Sequence, residues 1–153
     1  MDAGELETYL RERIPLSRAM QVRVVEIGAE HLRVAAPLAP NINHRETVFG
    51  GSAAATAMLA AWGLLYVRLR REQRPARLVI QRCVMEFLQP IGADFDAVST
   101  LDVDEDWQRF LAGLERKGRA RIAVRVQLEC AHQRVGEFTG EFVALRPPDG
   151  SDS

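Results

Sequence analysis

The fold is decided by the stretch from Val48 to Val67, VFGGSAAATAMLAAWGLLYV, which contains no Asp, Glu, Lys, Arg or His. Its length approaches the ~20 residues of a membrane-spanning helix. Much of it, however, is Gly, Ala, Ser and Thr, so it is only weakly apolar, and no second span follows. A helix apolar on all sides is equally at home inside a water-soluble protein. The strand-like patterns on both flanks favour that reading, so no membrane partner is expected. Gly50-Gly51-Ser52 opens this helix, which is predicted to run to about Arg71.

Upstream, Glu5 to Arg13 reads as a short helix that ends before Pro15. Met20 to Gly28 and His31 to Pro37 alternate as two strands, with Gly28-Ala29-Glu30 as a hairpin turn. Ala39 to Phe49 is irregular. Downstream, Arg77 to Leu88 is a strand stopped by Pro90 and Gly92, and Phe95 to Val103 is another, with Phe95, Ala97, Ser99, Leu101 and Val103 on one face. Asp104 to Arg116 reads as a helix or helical turn with acidic residues at its start, where the helix dipole favours them. Arg119 to Cys130 alternates strictly between one wet and one dry face, and Gln133 to Leu145 is the last strand. This predicts one domain over residues 1–147 and a disordered tail over 148–153.

A helix with no polar side, preceded by two strands and followed by four, needs apolar cover along its length. The expected fold is therefore α+β: a six-stranded antiparallel sheet wrapped around the central helix, one face on the helix and one on water. That is the hot-dog arrangement. Such a sheet keeps an edge, and edges are commonly paired or protected. An edge-to-edge homodimer is expected, with pairing of dimers into tetramers left open.

Composition narrows the partners. The 153 residues are 47% hydrophobic and 27% charged, and 20 basic against 21 acidic residues give a net charge of −1. That balance argues against a general nucleic-acid binder. Cys83 and Cys130 lie far apart in apolar runs, without a CxxC pair or zinc-type His spacing, and read as two buried, reduced thiols. The segment MDAGELETYLRERIPL is charged throughout and does not read as a secretory signal, so the cytoplasm is the expected compartment.

The segment Ala36-Pro37-Leu38-Ala39-Pro40-Asn41-Ile42-Asn43-His44-Arg45-Glu46-Thr47-Val48-Phe49-Gly50-Gly51-Ser52 could carry chemistry. Two prolines stiffen the approach and two asparagines place amide donors in a loop. Paired glycines let a ligand approach main chain at a helix start whose first N–H groups lack intrahelical partners. Free amides and the positive end of the dipole suit an oxyanion or enolate. The same residues also have a structural reading, in which Asn41 and Asn43 cap turns and the glycines permit tight packing. Thr47 and Ser52 are candidate substrate contacts, or simply turn and helix-start hydroxyls. Trp62 and Tyr66 read as packing residues.

This loop, followed by Thr47, Phe49, Gly51 and Ser52 and then Trp62-Gly63 within the helix, resembles the hot-dog family found as the C-terminal domain of YiiD-type acetyltransferase fusions. The resemblance spans nearly the whole chain and is most specific from Ala36 to Ser52. It implies a protein labelled thioesterase, in a family that includes stand-alone malonyl-acyl carrier protein decarboxylases. In that family the second asparagine of an Asn-x-Asn loop is implicated in decarboxylation, which here falls on Asn43. Many wider hot-dog thioesterases instead have His-Gly-Gly at the helix start and an Asp or Glu on the helix. Here Phe49 takes the His position and the helix offers no carboxylate.

The resemblance thus implies conversion of a malonyl thioester to an acetyl thioester and CO2, initiating fatty acid synthesis. Asn43 would be catalytic, with Gly50 and Gly51 N–H groups stabilising the enolate and Asn41, Thr47 and Ser52 contacting substrate. Arg45 is expected to point out of the pocket or to contact the carrier, because a cation there would stabilise the substrate carboxylate. The alternative is an acyl-CoA or acyl-carrier thioesterase with His44 as base and Glu46 as its partner; a binding module is a third reading. His31 and His132 read as solvated. No metal or cofactor is implied, since phosphopantetheine would arrive on the carrier protein or coenzyme A. Basic residues cluster at Arg68, Arg70, Arg71, Arg74 and Arg77, and at Arg116, Lys117, Arg119 and Arg121. They are either solvated faces or a dock for an acidic carrier.

Overall fold

In the computed structural model, residues 1–148 are described. Apart from Pro148, the tail expected over 148–153 lies outside them. Asp2 caps α1 (Ala3–Arg13) through a capping box with Glu5. Pro15 does not end the helical region but starts a second short helix, α2 (Pro15–Ala19), from its first position. Proline is tolerated there because the N–H it lacks has no intrahelical partner anyway. The next strand accordingly begins at Arg23 rather than Met20: β1 (Arg23–Ile27) pairs with β2 (His31–Ala36) as a hairpin.

The charge-free run forms α3 (Gly50–Arg71), ended at Glu72 with three arginines in its last turn. It is followed by β3 (Arg77–Phe87), β4 (Phe95–Leu101), α4 (Trp107–Lys117), β5 (Arg119–Cys130) and β6 (Gln133–Leu145). α4 starts three residues later than the sequence pattern implies, because Asp106 is the residue that caps it, accepting from Arg109 N. Val103 leaves the strand and is 76% exposed, so it does not share the buried face of Phe95, Ala97 and Ser99.

The six strands form one antiparallel sheet in the order β1-β2-β4-β5-β6-β3, and α3 lies across it, touching five of them. Leu64, Leu65, Val67 and Leu69 of α3 are buried in one core together with Leu32, Val34, Val124, Val126 and Phe138 of the sheet. Each such side chain contributes about 1.5–3 kcal/mol. Close approach is needed at Gly63, where an added Cβ would stand 2.6 Å from Leu32. The fully buried Ser99 hydroxyl donates to Ala60 O of α3 at 2.8 Å and reaches Leu32 O at 3.2 Å, tying the helix to the sheet. Most of the apolar segment of α3 is therefore core: 61% of its most apolar window is buried.

Among the described residues β3 is an edge strand, with β6 alone beside it. Its helix-side row, set by the register with Ala144, Phe142, Gly140, Phe138 and Gly136, is Leu78, Ile80, Cys83, Met85 and Phe87. α3 covers this row poorly. Cys83 is consequently exposed, which corrects the expectation of two buried thiols; Cys130 is buried.

Candidate active site

The loop before α3 is built by its own asparagines. Asn41 is 2% exposed, and its amide donates to Met20 O at 2.9 Å and Pro37 O at 2.8 Å. Both amide hydrogens are spent on main chain, so Asn41 fastens the loop to the segment after α2. Among the described residues its Oδ1 is buried without a partner. Its main-chain oxygen accepts from Phe49 N at 2.7 Å, which sets the entry to α3.

Asn43 closes a tight turn. Its N–H donates to Thr47 O at 2.8 Å, and its Oδ1 accepts from Arg45 N at 2.8 Å and Thr47 N at 3.2 Å. Nδ2 donates to Thr47 Oγ1 at 3.0 Å and only distantly to Val48 O, at 3.4 Å. One amide hydrogen is thus firmly held and the other weakly. Glu46 sits at φ 61° in this turn, a left-handed conformation that costs a non-glycine residue some strain. His44, Arg45 and Glu46 are all exposed at the turn's outer side, and no hydrogen bond joins His44 to Glu46.

α3 begins at Gly50 without any side-chain cap, and the first helical bond is from Ala53 N to Phe49 O. The N–H groups of Gly50, Gly51 and Ser52 therefore have no acceptor within the helix. Two exposed rings flank them. Phe49 lies over Gly51, where a Cβ would stand 2.3 Å from a ring carbon, and Phe87 lies beside Gly50. Ser52 is half-buried and its carbonyl accepts from the Thr56 hydroxyl at 2.8 Å.

A cleft of about 380 Å³ opens at this helix start, lined by Val48, Gly50, Ala53, Phe87, Leu88, Gln89, Pro90 and Ile91. None of these side chains titrates. The far wall is contributed by residues 87–91, held by a hydrogen bond from Val48 N to Ile91 O at 2.8 Å. Sequence reasoning missed that wall: Phe87-Leu88 before Gln89-Pro90 reads only as a strand ending. A second cavity of about 300 Å³ lies further along α3, lined mainly by Ala55, Met58, Leu59 and Trp62 on the helix, Leu78 and Ile80 on β3, and Met20. It went unnoticed because Ile14, Leu16, Ser17 and Met20, four of its eleven wall residues, lie in or beside the unexpected α2.

Trp62 and Tyr66 pack as expected, stacked with each other at 4.7 Å and with Tyr9 of α1. Burial, followed by a hydrogen bond with Tyr66, raises the Tyr9 phenol above its ordinary value. His31 pairs with Glu26 at 3.2 Å, away from the cleft, and His132 is exposed in the β5–β6 turn.

Solved structures share this architecture over almost their whole length. A "putative thioesterase" from Shewanella oneidensis is 26% identical with a TM-score of 0.85, covering 94% of this chain and 96% of that one. A protein of unknown function from Chlorobaculum tepidum is also 26% identical, with a TM-score of 0.87 and coverages of 95% and 94%. A "probable thioesterase" from Pseudomonas aeruginosa, at 18% identity, has the same fold, with a TM-score of 0.80 and coverages of 94% and 96%. A family model described as "Putative thioesterase (yiiD_Cterm)" matches residues 3–146. With that match over nearly the entire hot-dog fold, the chain belongs to this YiiD C-terminal-domain family of thioesterase-like proteins.

Proposed function

We propose that the protein decarboxylates a malonyl thioester, giving an acetyl thioester and CO2. The observation that carries this reading is a cleft without a single titratable side chain, set against an uncapped helix N-terminus. Thioester hydrolysis needs an activated water or a carboxylate nucleophile. Decarboxylation needs neither: the C–C bond to the carboxylate breaks, CO2 leaves, and the electron pair passes into the thioester carbonyl as an enolate. The requirements are hydrogen-bond donors at the carbonyl oxygen and a dry surrounding.

The Gly50 and Gly51 N–H groups supply two donors, reinforced by the dipole of a 22-residue helix. Asn43 supplies a third when its weak contact with Val48 O yields. Thr47 orients that amide and Asn41 holds the loop; of the expected site residues Gly50 lines the cleft, while Asn43, Thr47, Gly51 and Ser52 border it in sequence without lining it. The enolate then takes a proton at carbon from a water molecule at the open mouth of the cleft, giving the acetyl group and leaving hydroxide to solvent. A homodimer joined along β3 is supported by the unpaired edge and by Val79, Val84, Phe87 and Leu88, which are 43–58% exposed.

A second reading, acyl-thioester hydrolysis, draws on the apolar cavity beside Ala55, Met58 and Trp62, which suits an acyl chain better than a malonyl carboxylate. His44 or Glu46 would have to turn inward to activate water. Incubation with malonyl-acyl carrier protein and mass analysis of the thioester separates the readings. Loss of CO2 with the thioester intact is the expected result. Release of the free carrier thiol would replace it with hydrolysis, and unchanged substrate would leave a binding module.

A further inference from the structure

Of the two basic clusters in the sequence, the first is largely spent inside the protein. Arg68 stacks over Trp107 at 4.4 Å, Arg70 donates to the Tyr66 hydroxyl, Arg71 donates to Gly28 O and Ala29 O, and Arg74 pairs with Glu115. Arg77 is the exception, and the sheet register brings it to the second cluster. Arg77 on β3 and Arg119 on β5 both lie opposite Leu145 of β6, while Arg121 lies opposite Val143, whose other neighbour is Val79. All are on the face of the sheet turned away from α3. Two strand spacings, about 10 Å, separate Arg77 from Arg119, and about 7 Å separates Arg119 from Arg121.

These three arginines are exposed and, among the described residues, have no carboxylate partner. Elsewhere on the same face Arg33 is paired with Asp96 and Glu129, and Arg125 with Asp102. Exposed Arg116 and Lys117 extend the cluster at the end of α4. Among the described residues, positive charge without an ion-pair partner is thus concentrated at one corner of a chain of net charge −1.

We propose that this corner docks the acidic helix of a carrier protein and that the carrier held on one chain feeds the cleft of a second copy. Carboxylates two turns apart on a helix, about 11 Å, match the separation of Arg77 from Arg119. A nucleic acid fits less well, because the basic area is compact rather than a track along the molecule. The proposal rests on the thioester reading of the cleft and on pairing along β3.

Geometry decides which cleft is fed. Arg77 stands at the start of β3 and the cleft-lining Phe87 at its end, about 33 Å away. A phosphopantetheine arm equals about four to five residues of extended chain, or about 16 Å, and cannot span that distance. Antiparallel pairing of two β3 edges about a two-fold axis brings the start of one strand beside the end of the other.

The test uses the double variant Arg119→Glu with Arg121→Glu in the full chain. Fluorescence anisotropy with a labelled acyl carrier protein reads docking without any turnover, and the affinity is expected to fall at least tenfold. Turnover of the malonyl carrier substrate falls in step, and turnover of malonyl-coenzyme A is unchanged. Unchanged carrier affinity would overturn the dock, as would arginine-dependent binding of a duplex RNA without binding of the carrier. Wild-type protein that binds the carrier yet leaves both malonyl-acyl carrier protein and malonyl-coenzyme A intact would refute the decarboxylase reading instead. Mixed dimers, co-expressed from this double variant and an Asn43→Ala chain, should regain turnover on the carrier substrate. Absence of recovery in purified mixed dimers would overturn delivery between chains.

Discussion

Asn43→Asp separates the chemistry of the loop from its architecture. The substitution keeps the shape of the side chain and its acceptor bonds from Arg45 N at 2.8 Å and Thr47 N at 3.2 Å, now strengthened by charge. The Thr47 hydroxyl, already within 3.3 Å of Oδ1, can turn its hydrogen to the carboxylate. Only the contact with Val48 O becomes repulsive, and at 3.4 Å it is long. The fold should therefore lose about 1 kcal/mol or less, the scale of one ordinary hydrogen bond. Catalysis loses a donor aimed at developing negative charge, which costs about 2.7–4 kcal/mol, or ~10²–10³ in kcat. A carboxylate placed beside the enolate adds repulsion, so the drop should be at least ~10³-fold. Urea unfolding gives the first number and CO2 release from malonyl-coenzyme A the second. An enzyme of native stability retaining a tenth of its kcat would remove the Asn43 amide from the mechanism. Lost activity accompanied by about 3 kcal/mol of lost stability would show that the loop had collapsed instead.

Two further outcomes follow from the same structure. Asn41→Ala strips two main-chain oxygens of their donors, one of them fully buried, while also removing an unpaired Oδ1. Denaturant titration should show a net loss of about 2–3 kcal/mol, and a change below about 1 kcal/mol would contradict the fastening role. For Tyr9 the phenol is raised in the folded state, so the unfolded chain releases its proton first. Stability is unaffected below pH 10 and declines as pH rises from there toward the folded value. Tyr66→Phe removes the hydrogen bond but leaves the burial, so the tyrosinate absorbance of Tyr9 should shift part of the way back toward 10.0. A shift in the opposite direction would refute the assigned causes.

The sequence carries the elements whose patterns are local and strict. β5 and β6 match their expected bounds because polar and apolar residues alternate against a two-residue period, and α3 matches because glycines and arginines bracket a charge-free run. Features that depend on what lies across space were hidden. Cys83 sits in an apolar run like Cys130, but β3 falls at the edge of the sheet and β5 within it. Pro15 reads as a stop unless Ser17 and Met20 have somewhere to pack, and both are buried. The two asparagines illustrate the point within the site itself. They are two positions apart, yet only the fold reveals that the Asn41 amide is wholly engaged by Met20 O and Pro37 O while that of Asn43 keeps one hydrogen loosely held.

The strand order has a consequence for how the chain is made. β3 follows α3 directly, yet its neighbour is the last strand, so Arg77 waits for Leu145. A ribosome releasing the chain from its N-terminus completes α3, β4, α4 and β5 while β3 still has no partner. Throughout that interval eleven residues rich in Leu, Val, Ile, Met and Phe have both edges bare, the condition under which nascent chains aggregate or recruit chaperones. Translation stalled before Gln133 leaves a product that cannot conceal this segment, so premature termination is more hazardous here than in a protein whose strands pair in order of synthesis.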